Sequence, residues 1–433
     1  MSEEVVVFDE YRQAIQSITK NAVTFVSGEA GSGKSTFIHY IRKLVSNSLL
    51  LAPTGLAAVN IGGRTIHSFF KFPPSFLTEN DIVRLKPDVC KFLRMTNLII
   101  IDEISMVSSN VMDAIDSSLR LSMNQNVPFG GIPVLIVGDL CQLSPIVGND
   151  RVVMEAYMEL YDSEYFFDSH VMQEVIEKNE FELIMLKKVM RQKDERFVKV
   201  LSAIRRDYKA NIAIDILNKV CRYEHVAPDN YVQITPYNEV SNVTNNRKLA
   251  ELDSELMTYY GTVEGKFNPN NFPVDQTLKL KVGAQIMVCK NLTPSIVNGS
   301  IGKITDLRSN YIIVDLFDGQ KDIKIEYAKW DEYGLSKSFI GGESKYENGI
   351  VGSYRQLPIK LSWSMTIHKS QGATIQNLYI DMSKGAFATG MLYVALSRAT
   401  TLDKLILSKP LEYEDVIVDD RVVSFYKKFG VGV

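Results

Sequence analysis

The chain reads as an α/β protein with two parallel-sheet units flanked by helices, a small insertion in the first unit and an antiparallel barrel in the second. Three observations predict this. Apolar runs at 23–26, 48–51, 98–101 and 134–137 alternate with helical spacing, and each is followed by a loop rich in Gly, Pro, Ser or Asp. The pattern restarts after about residue 180, with further runs at 231–235, 356–359 and 377–380. Between them, β-rich runs at 311–317 and 323–327 are joined by Asp318-Gly319, a hairpin signal, with Gly299, Gly302 and Gly334 nearby. The expected division is 1–180 for the first unit, with an insertion at about 69–87, then 181–290 and 355–433 for the second unit and 291–354 for the barrel.

Taken in order, the run at 23–26 leads into Gly28-Glu29-Ala30-Gly31-Ser32-Gly33-Lys34-Ser35, after which helical spacing resumes at Thr36. Strand, glycine-rich loop and helix in this sequence form a phosphate cradle, in which backbone N–H groups and the positive helix end converge on phosphate oxygens. The loop predicts a bound nucleoside triphosphate. Lys34 reaches its outer phosphates, and the Ser35 hydroxyl ligates magnesium. The run at 98–101 ends in Asp102-Glu103, where one carboxylate can hold magnesium and the other can polarise an attacking water. The run at 134–137 opens a third loop, Gly138-Asp139-Leu140-Cys141-Gln142-Leu143-Ser144-Pro145, from which Gln142 can sense the terminal phosphate.

In the second half, Thr366-Ile367-His368-Lys369-Ser370-Gln371-Gly372 is a polar, cationic turn expected to open toward the cleft. Tyr393-Val394-Ala395-Leu396-Ser397-Arg398 ends an apolar stretch in an arginine. Arg398 and Arg191 have the character of arginine fingers, which neutralise charge on a transferring phosphoryl group. A basic run from Lys187 to Lys209 reads either as a solvated helix face or as part of a nucleic-acid groove. Phe69, Phe70 and Phe72, ahead of Pro73-Pro74, suit either base stacking or the core of a small wedge.

Bulk composition narrows the class. With 433 residues, 45% hydrophobic and 23% charged, the chain is that of an ordinary globular protein with more than one core. No apolar run is long enough to span a bilayer, and Met1-Ser2-Glu3-Glu4 is acidic where a targeting peptide is basic. The expected location is therefore the cytoplasm, or a nucleoid within it. Cys90, Cys141, Cys221 and Cys289 stand singly, which suits neither a zinc site nor a disulfide framework. A net charge of −3 argues against indiscriminate coating with nucleic acid but not against a local groove. The absence of an Asn-Lys-x-Asp motif argues against a guanine-nucleotide switch.

The order of these motifs, together with Ala52-Pro53-Thr54-Gly55 and Thr65-Ile66-His67-Ser68, is similar to the motif series of superfamily 1 helicases. Within these, Pro128-Phe129-Gly130-Gly131 resembles the signature of the petite-integration-frequency DNA helicases, relatives of the RecD and Dda helicases. The resemblance implies two RecA-like motor domains, a wedge in the first and an SH3-like barrel in the second. It assigns Lys34, Ser35, Asp102, Glu103, Gln142, Arg191 and Arg398 to ATP and magnesium, with Gly28, Gly31, Ser32, Gly33, Thr36 and Gly372 around the nucleotide and Gln13 reading adenine. Pro53, Thr54, Thr65, His67, Ser68, Asn298, Gly299, Thr366, His368 and Lys369 match positions that grip single-stranded DNA. Hydroxyls, amides and lysines hold phosphates without reading bases, as a motor moving over any sequence requires. The implied activity is ATP-dependent unwinding of duplex, forked or structured DNA by a monomer moving five-prime to three-prime, in a bacterium or a phage-infected cell. The alternative is a DNA-stimulated translocase that remodels protein–DNA complexes without efficient unwinding.

Overall fold

The computed structural model describes residues 8–148, 150–187, 194–229, 231–269, 272–293, 295–340 and 343–431. Helix α1 (Asp9–Ile18) precedes β1 (Val23–Gly28), and a tight loop leads into α2 (Lys34–Leu44). Next come β2 (Ser48–Ala52), α3 (Gly55–Ile61), β3 (Arg64–Thr65) and α4 (Ile66–Phe70). After a 3-10 turn at Glu79–Asp81 follow α5 (Pro87–Arg94), β4 (Leu98–Ile101) and α6 (Ser109–Met123). The first unit continues through β5 (Val134–Gly138), α7 (Arg151–Leu160), α8 (His170–Glu177) and β6 (Phe181–Leu186). Its sheet has the order β3-β2-β4-β5-β1-β6 with every pairing parallel. β1, β4 and β5 are buried at every residue, as a sheet covered on both faces requires. Alternate residues feed two cores: Ile99 and Ile101 pack with α6 and α8, and Leu98 and Ile100 with α1, α2 and α3.

The second unit begins with α9 (Glu195–Arg205), α10 (Ala210–Val220), β7 (Arg222–Tyr223), β8 (Val232–Thr235) and α11 (Asn238–Ala250). Three antiparallel sheets are then built from β9 (Met257–Tyr260), β10 (Thr262–Gly265), β11 (Thr277–Leu280) and β12 (Gln285–Val288), followed by β13 (Ile301–Leu307), β14 (Tyr311–Leu316) and β15 (Ile323–Glu326). The long β16 (Ala328–Ile340) and β17 (Glu343–Gln356) and the short β18 (Ile359–Leu361) complete them. The chain returns through β19 (Ser364–Thr366), α12 (Ile367–Ser370), β20 (Leu378–Ile380), α13 (Met391–Ser397), β21 (Leu405–Leu407) and α14 (Asp420–Lys428). The second parallel sheet is β19-β8-β20-β21-β7, and the largest antiparallel sheet is β15-β14-β13-β12-β18. Helix α13 is buried at all seven residues, wedged into the core of the second parallel sheet.

Several expectations meet the structure differently. The run at 356–359 does not join the second parallel sheet: β18 pairs antiparallel with β12, and Leu357 and Ile359 face the antiparallel core. A short apolar run carries no mark of which strand it will pair with. Helix α14, in the stretch expected with the second unit, sets Val422, Phe425 and Tyr426 into the first unit's core. Phe69, Phe70 and Phe72 of the 69–87 insertion are buried there too, with the rings of Phe70 and Phe72 stacked at 5.2 Å, so they are unavailable for base stacking. The insertion is stapled along α6, where the Leu77 amide donates to Asn110 Oδ1 at 2.7 Å and the Leu85 amide to Ser122 Oγ at 3.1 Å. From the second unit, β17 packs on the 79–81 turn and β16 on α7.

The Pro128–Gly131 turn is a structural clasp. Phe129, Gly130 and Gly131 all take positive φ, at 54°, 61° and 80°. Buried Asp116 on α6 accepts the Phe129 amide at 2.6 Å, and its other oxygen accepts from Arg120 Nε at 2.7 Å.

Candidate functional site

β1 delivers the chain to a loop whose curvature depends on glycine. Gly31 and Gly33 have φ of 81° and 84°, and a Cβ on Gly28 would lie 2.4 Å from Ser32 Oγ. Lys34 opens α2 and donates to the carbonyls of Gly28 at 2.7 Å and Glu29 at 3.0 Å, across the mouth of the loop. Ser32 Oγ is buried with no hydrogen-bond partner among the described residues, while Ser35 and Thr36 are exposed on the first turn. A buried orphan hydroxyl, a glycine-curved loop and a lysine at a helix N-terminus fit a phosphate chain. Tyr11 lies against this loop, its hydroxyl 3.5 Å from the Gly33 carbonyl, and Gln13, two residues on, is exposed on α1.

Asp102 ends β4 almost fully buried. Burial and the neighbouring Glu103 push its pKa up to about 7, against the opposing pull of the Glu103 amide, which donates to Oδ1 at 2.9 Å, and of the Lys34 cation. Glu103 adopts φ 50°, a left-handed conformation uncommon outside glycine, and its Oε2 accepts from Gln371 Nε2 of the second unit at 3.2 Å. Gly372 follows with φ 80°, and a Cβ there would lie 3.7 Å from Glu103 Oε1. The turn is held from behind by Arg398. That guanidinium is 2% exposed and donates to the carbonyls of Val394 at 3.0 Å, Ala373 at 3.1 Å and Ser370 at 3.5 Å, and to Ser397 Oγ at 2.8 Å. Arg191 lies outside the described residues.

Gln142 is buried on the third loop, and its Oε1 has no partner among the described residues. Beside it the structure places a cluster the sequence did not reveal. Asp139, fully buried, accepts from Arg205 Nε at 3.0 Å and Nη2 at 2.8 Å, and from the Tyr393 hydroxyl at 2.9 Å. Burial works to raise the Asp139 pKa, but Arg205, Lys34 and Tyr393 outweigh it and hold the group below the usual carboxylate range. The Tyr393 hydroxyl also accepts the Ala30 amide of the phosphate loop at 2.7 Å. On the same loop, Glu29 Oε1 accepts from Ser202 Oγ at 2.9 Å and Arg206 Nη2 at 3.2 Å. The basic run therefore divides: Arg205 and Arg206 grip the first unit, whereas Arg196 and Lys199 are exposed. Charge alone gave no way to separate them.

The second group of expected residues is distributed over both units. Thr54 and Thr65 cap α3 and α4, their Oγ1 atoms accepting from the Ala57 amide at 3.3 Å and the Ser68 amide at 3.4 Å. Each hydroxyl keeps its proton for donation. Pro53 precedes this cap, half-buried, and Ser68 is exposed. His67 and His368 are half-buried, and burial lowers the pKa of both, favouring neutral imidazoles. Thr366 is buried at the end of β19. Lys369 lies close enough to Lys360 that burial and then this like charge lower its pKa. The loop carrying Asn298 and Gly299 meets α3 directly: a Cβ on Gly55 would lie 3.0 Å from both Asn291 Oδ1 and the Asn298 carbonyl. Sequence reasoning also missed an aromatic cluster beyond β8 and β20, where Phe387, 54% exposed, has ring centroids 5.1 Å from Tyr237 and 6.4 Å from His368.

Comparison with known proteins identifies relatives of the whole chain. The family model described as PIF1-like helicase matches residues 2–211, and that described as DNA helicase Pif1, 2B domain, matches residues 267–307. The chain is 30% identical to the ATP-dependent DNA helicase Pif1 of Bdellovibrio bacteriovorus, covering 98% of this chain and 93% of that one. It is 29% identical to the ATP-dependent DNA helicase PIF1 of Candida albicans over 98% of its own length, but spans only 56% of that longer protein. Bacteroides Pif1 bound to ssDNA is a structural neighbour at 32% identity and a TM-score of 0.84, covering 99% of this chain and 98% of that one. A structure described as the basis for DNA unwinding at forked dsDNA by two coordinating Pif1 helicases matches at 31% identity and a TM-score of 0.85, covering 98% of each chain.

Proposed function

Because this chain belongs to the PIF1-like helicase family, we propose that it is an ATP-driven DNA helicase that moves along single-stranded DNA and unwinds duplex ahead of it. One observation carries the reading: the carboxylate beside the phosphate loop, Glu103, is met by Gln371 from the other parallel sheet, so the catalytic cleft lies between two units that can close on it. ATP with magnesium supplies the phosphoanhydride whose hydrolysis drives the cycle. Lys34 and the amides at the N-terminus of α2 hold the phosphates, Ser35 and Asp102 hold the metal, and Glu103 orients the attacking water. Gln142 senses the terminal phosphate. Arg191 serves as a finger, while Arg398 acts by seating the Gln371-Gly372 turn against Glu103. Gln13 stands on the helix whose Tyr11 abuts the loop, which suits a contact to adenine.

Pro53, Thr54, Thr65, His67 and Ser68 from the first unit, and Asn298, Gly299, Thr366, His368 and Lys369 from the second, form the track for the strand. Phe387 adds a ring on which bases of any identity can stack. The parallel-sheet units act as RecA-like motors, the antiparallel sheets as an SH3-like arm over the strand, and the 69–87 insertion as the wedge at the fork, with the protein working as a monomer moving five-prime to three-prime. The test is strand displacement on duplexes tailed at one end or the other, with ATP hydrolysis followed in parallel. Hydrolysis and movement without displacement would identify a translocase instead.

A further inference from the structure

The buried cluster around Asp139 joins four parts of the molecule and is not accounted for by phosphate binding or strand binding. Asp139 and Gln142 share one loop, and the Gln142 amide donates to the Asp139 carbonyl at 3.0 Å. Arg205 comes from α9, Tyr393 from α13, and Tyr426 from α14, with the Arg205 guanidinium 5.6 Å from the Tyr426 ring centre. The Tyr426 hydroxyl lies 2.6 Å from Ser27 Oγ, just before the phosphate loop, and accepts the Leu140 amide at 3.1 Å. Arg205, Tyr393 and Asp139 are at most 2% exposed.

These bonds have a direction of influence. Tyr393 spends its single proton on Asp139 and a lone pair on Ala30, so it links the phosphate loop to the Gln142 loop through one atom. Arg205 addresses Asp139 through two nitrogens, an arrangement that fixes orientation as well as distance. Both side chains are carried by helices of the second unit, α9 and α13, and Tyr393 packs in that unit's core together with Ala30 and Leu143 of the first. We propose that Arg205 and Tyr393 are positioning residues for ATP hydrolysis, locking Asp139 to the Ala30 amide so that the phosphate loop and the Gln142 loop share one geometry only while the second unit is docked. The inference rests on the nucleotide-site reading given above. It makes the docked second unit a condition for fast hydrolysis independently of any group that touches the nucleotide.

The experiment uses the full chain and measures steady-state ATP hydrolysis with saturating oligothymidylate, alongside melting temperature. Tyr393→Phe removes one hydroxyl and keeps the ring. It is expected to lower kcat about tenfold while leaving KM for ATP within about twofold and the melting temperature within about 5 °C. Arg205→Lys is expected to retain more turnover than Arg205→Ala, and Tyr393→Phe combined with Asp139→Asn to cost no more than the worse single change, because the two share one interaction. A kcat for Tyr393→Phe within twofold of wild type overturns the inference, as does a fall in kcat matched by a rise in KM or by a large loss of melting temperature. If Tyr393→Phe does not fold, equal kcat for Arg205→Lys and wild type overturns it. Wild-type chain that hydrolyses no ATP overturns the nucleotide reading and the inference with it.

Discussion

At the scale of single residues, the chemistry is divided among groups with different environments. Lys34 is bonded within its own loop, so Lys34→Ala should lower kcat on the order of a hundredfold or more with little change in single-strand affinity. Fluorescence titration with a labelled strand and a coupled hydrolysis assay measure the two separately; turnover near wild type would remove the lysine from the site. Glu103 is strained at φ 50° and accepts a hydrogen bond from the opposite unit, which suits a group placed for its function rather than for folding. Glu103→Gln keeps the shape and loses the base, and should bind a fluorescent ATP analogue normally while single-turnover hydrolysis falls about 10²–10⁴-fold. The contiguous motif 28–35 and the pair Asp102-Glu103 were legible in sequence because their chemistry is local, set by a strand end and the residues that follow it. Asp139 was not. Its partner Arg205 is 66 residues away and belongs to a run of cations indistinguishable from a solvated face until the helix is placed.

Among elements, the Pro128–Gly131 clasp is the most sharply constrained. A Cβ on Gly130 would lie 2.7 Å from the Leu119 carbonyl and 2.9 Å from Met123 Cβ, at a φ that alanine rarely adopts. Gly130→Ala should therefore destabilise the protein by about 1–3 kcal/mol, read as a lower denaturation midpoint. Asp116, which holds the clasp, has its pKa pushed up to about 6 by burial, despite the Phe129 amide and Arg120. Its folded-state pKa is thus above the unfolded value of 3.8, and its stabilising contribution is complete below that value and lost as pH rises through about 6. Asp116→Asn does not titrate, so the wild type's melting temperature relative to the variant should fall between pH 4 and 6.5; a constant or rising difference would contradict the assignment. The strands were read well where the run is wholly apolar, as in β4 and β5, and poorly at 356–359, where Gln356 and Pro358 interrupt the run and β18 was set in the wrong sheet. The wedge insertion also changes character once its packing is known. Phe69, Phe70 and Phe72 belong to the first core, so replacing the whole insertion would unfold that core rather than test a wedge, and substitutions at exposed positions such as Lys71, Pro74 and Val83 are the cleaner test.

For the whole molecule, the proposed function depends on the two units meeting, and that was the least legible level. Glu103 and Gln371 are 268 residues apart, and the Ala30 amide and Tyr393 are 363 apart. Gly55 touches Asn291 and Asn298 only because an antiparallel sheet is set over the first unit. No spacing rule connects such pairs; they follow from how the second sheet docks on the first. The two parallel sheets that the motif series implies are nonetheless both present, and the 28–35 loop, Asp102-Glu103 and the 138–145 loop each follow the carboxyl end of a parallel strand, where open α/β sheets bind ligands. The central claim is that closure of this cleft on ATP drives directional movement along one strand. Strand displacement measures it directly, using identical duplexes that carry a single-stranded tail at either the five-prime or the three-prime end, with Lys34→Ala as the control. The account predicts ATP-dependent displacement from the five-prime tail, little from the three-prime tail and none with Lys34→Ala. Equal displacement from both tails, or displacement that survives Lys34→Ala, would contradict it.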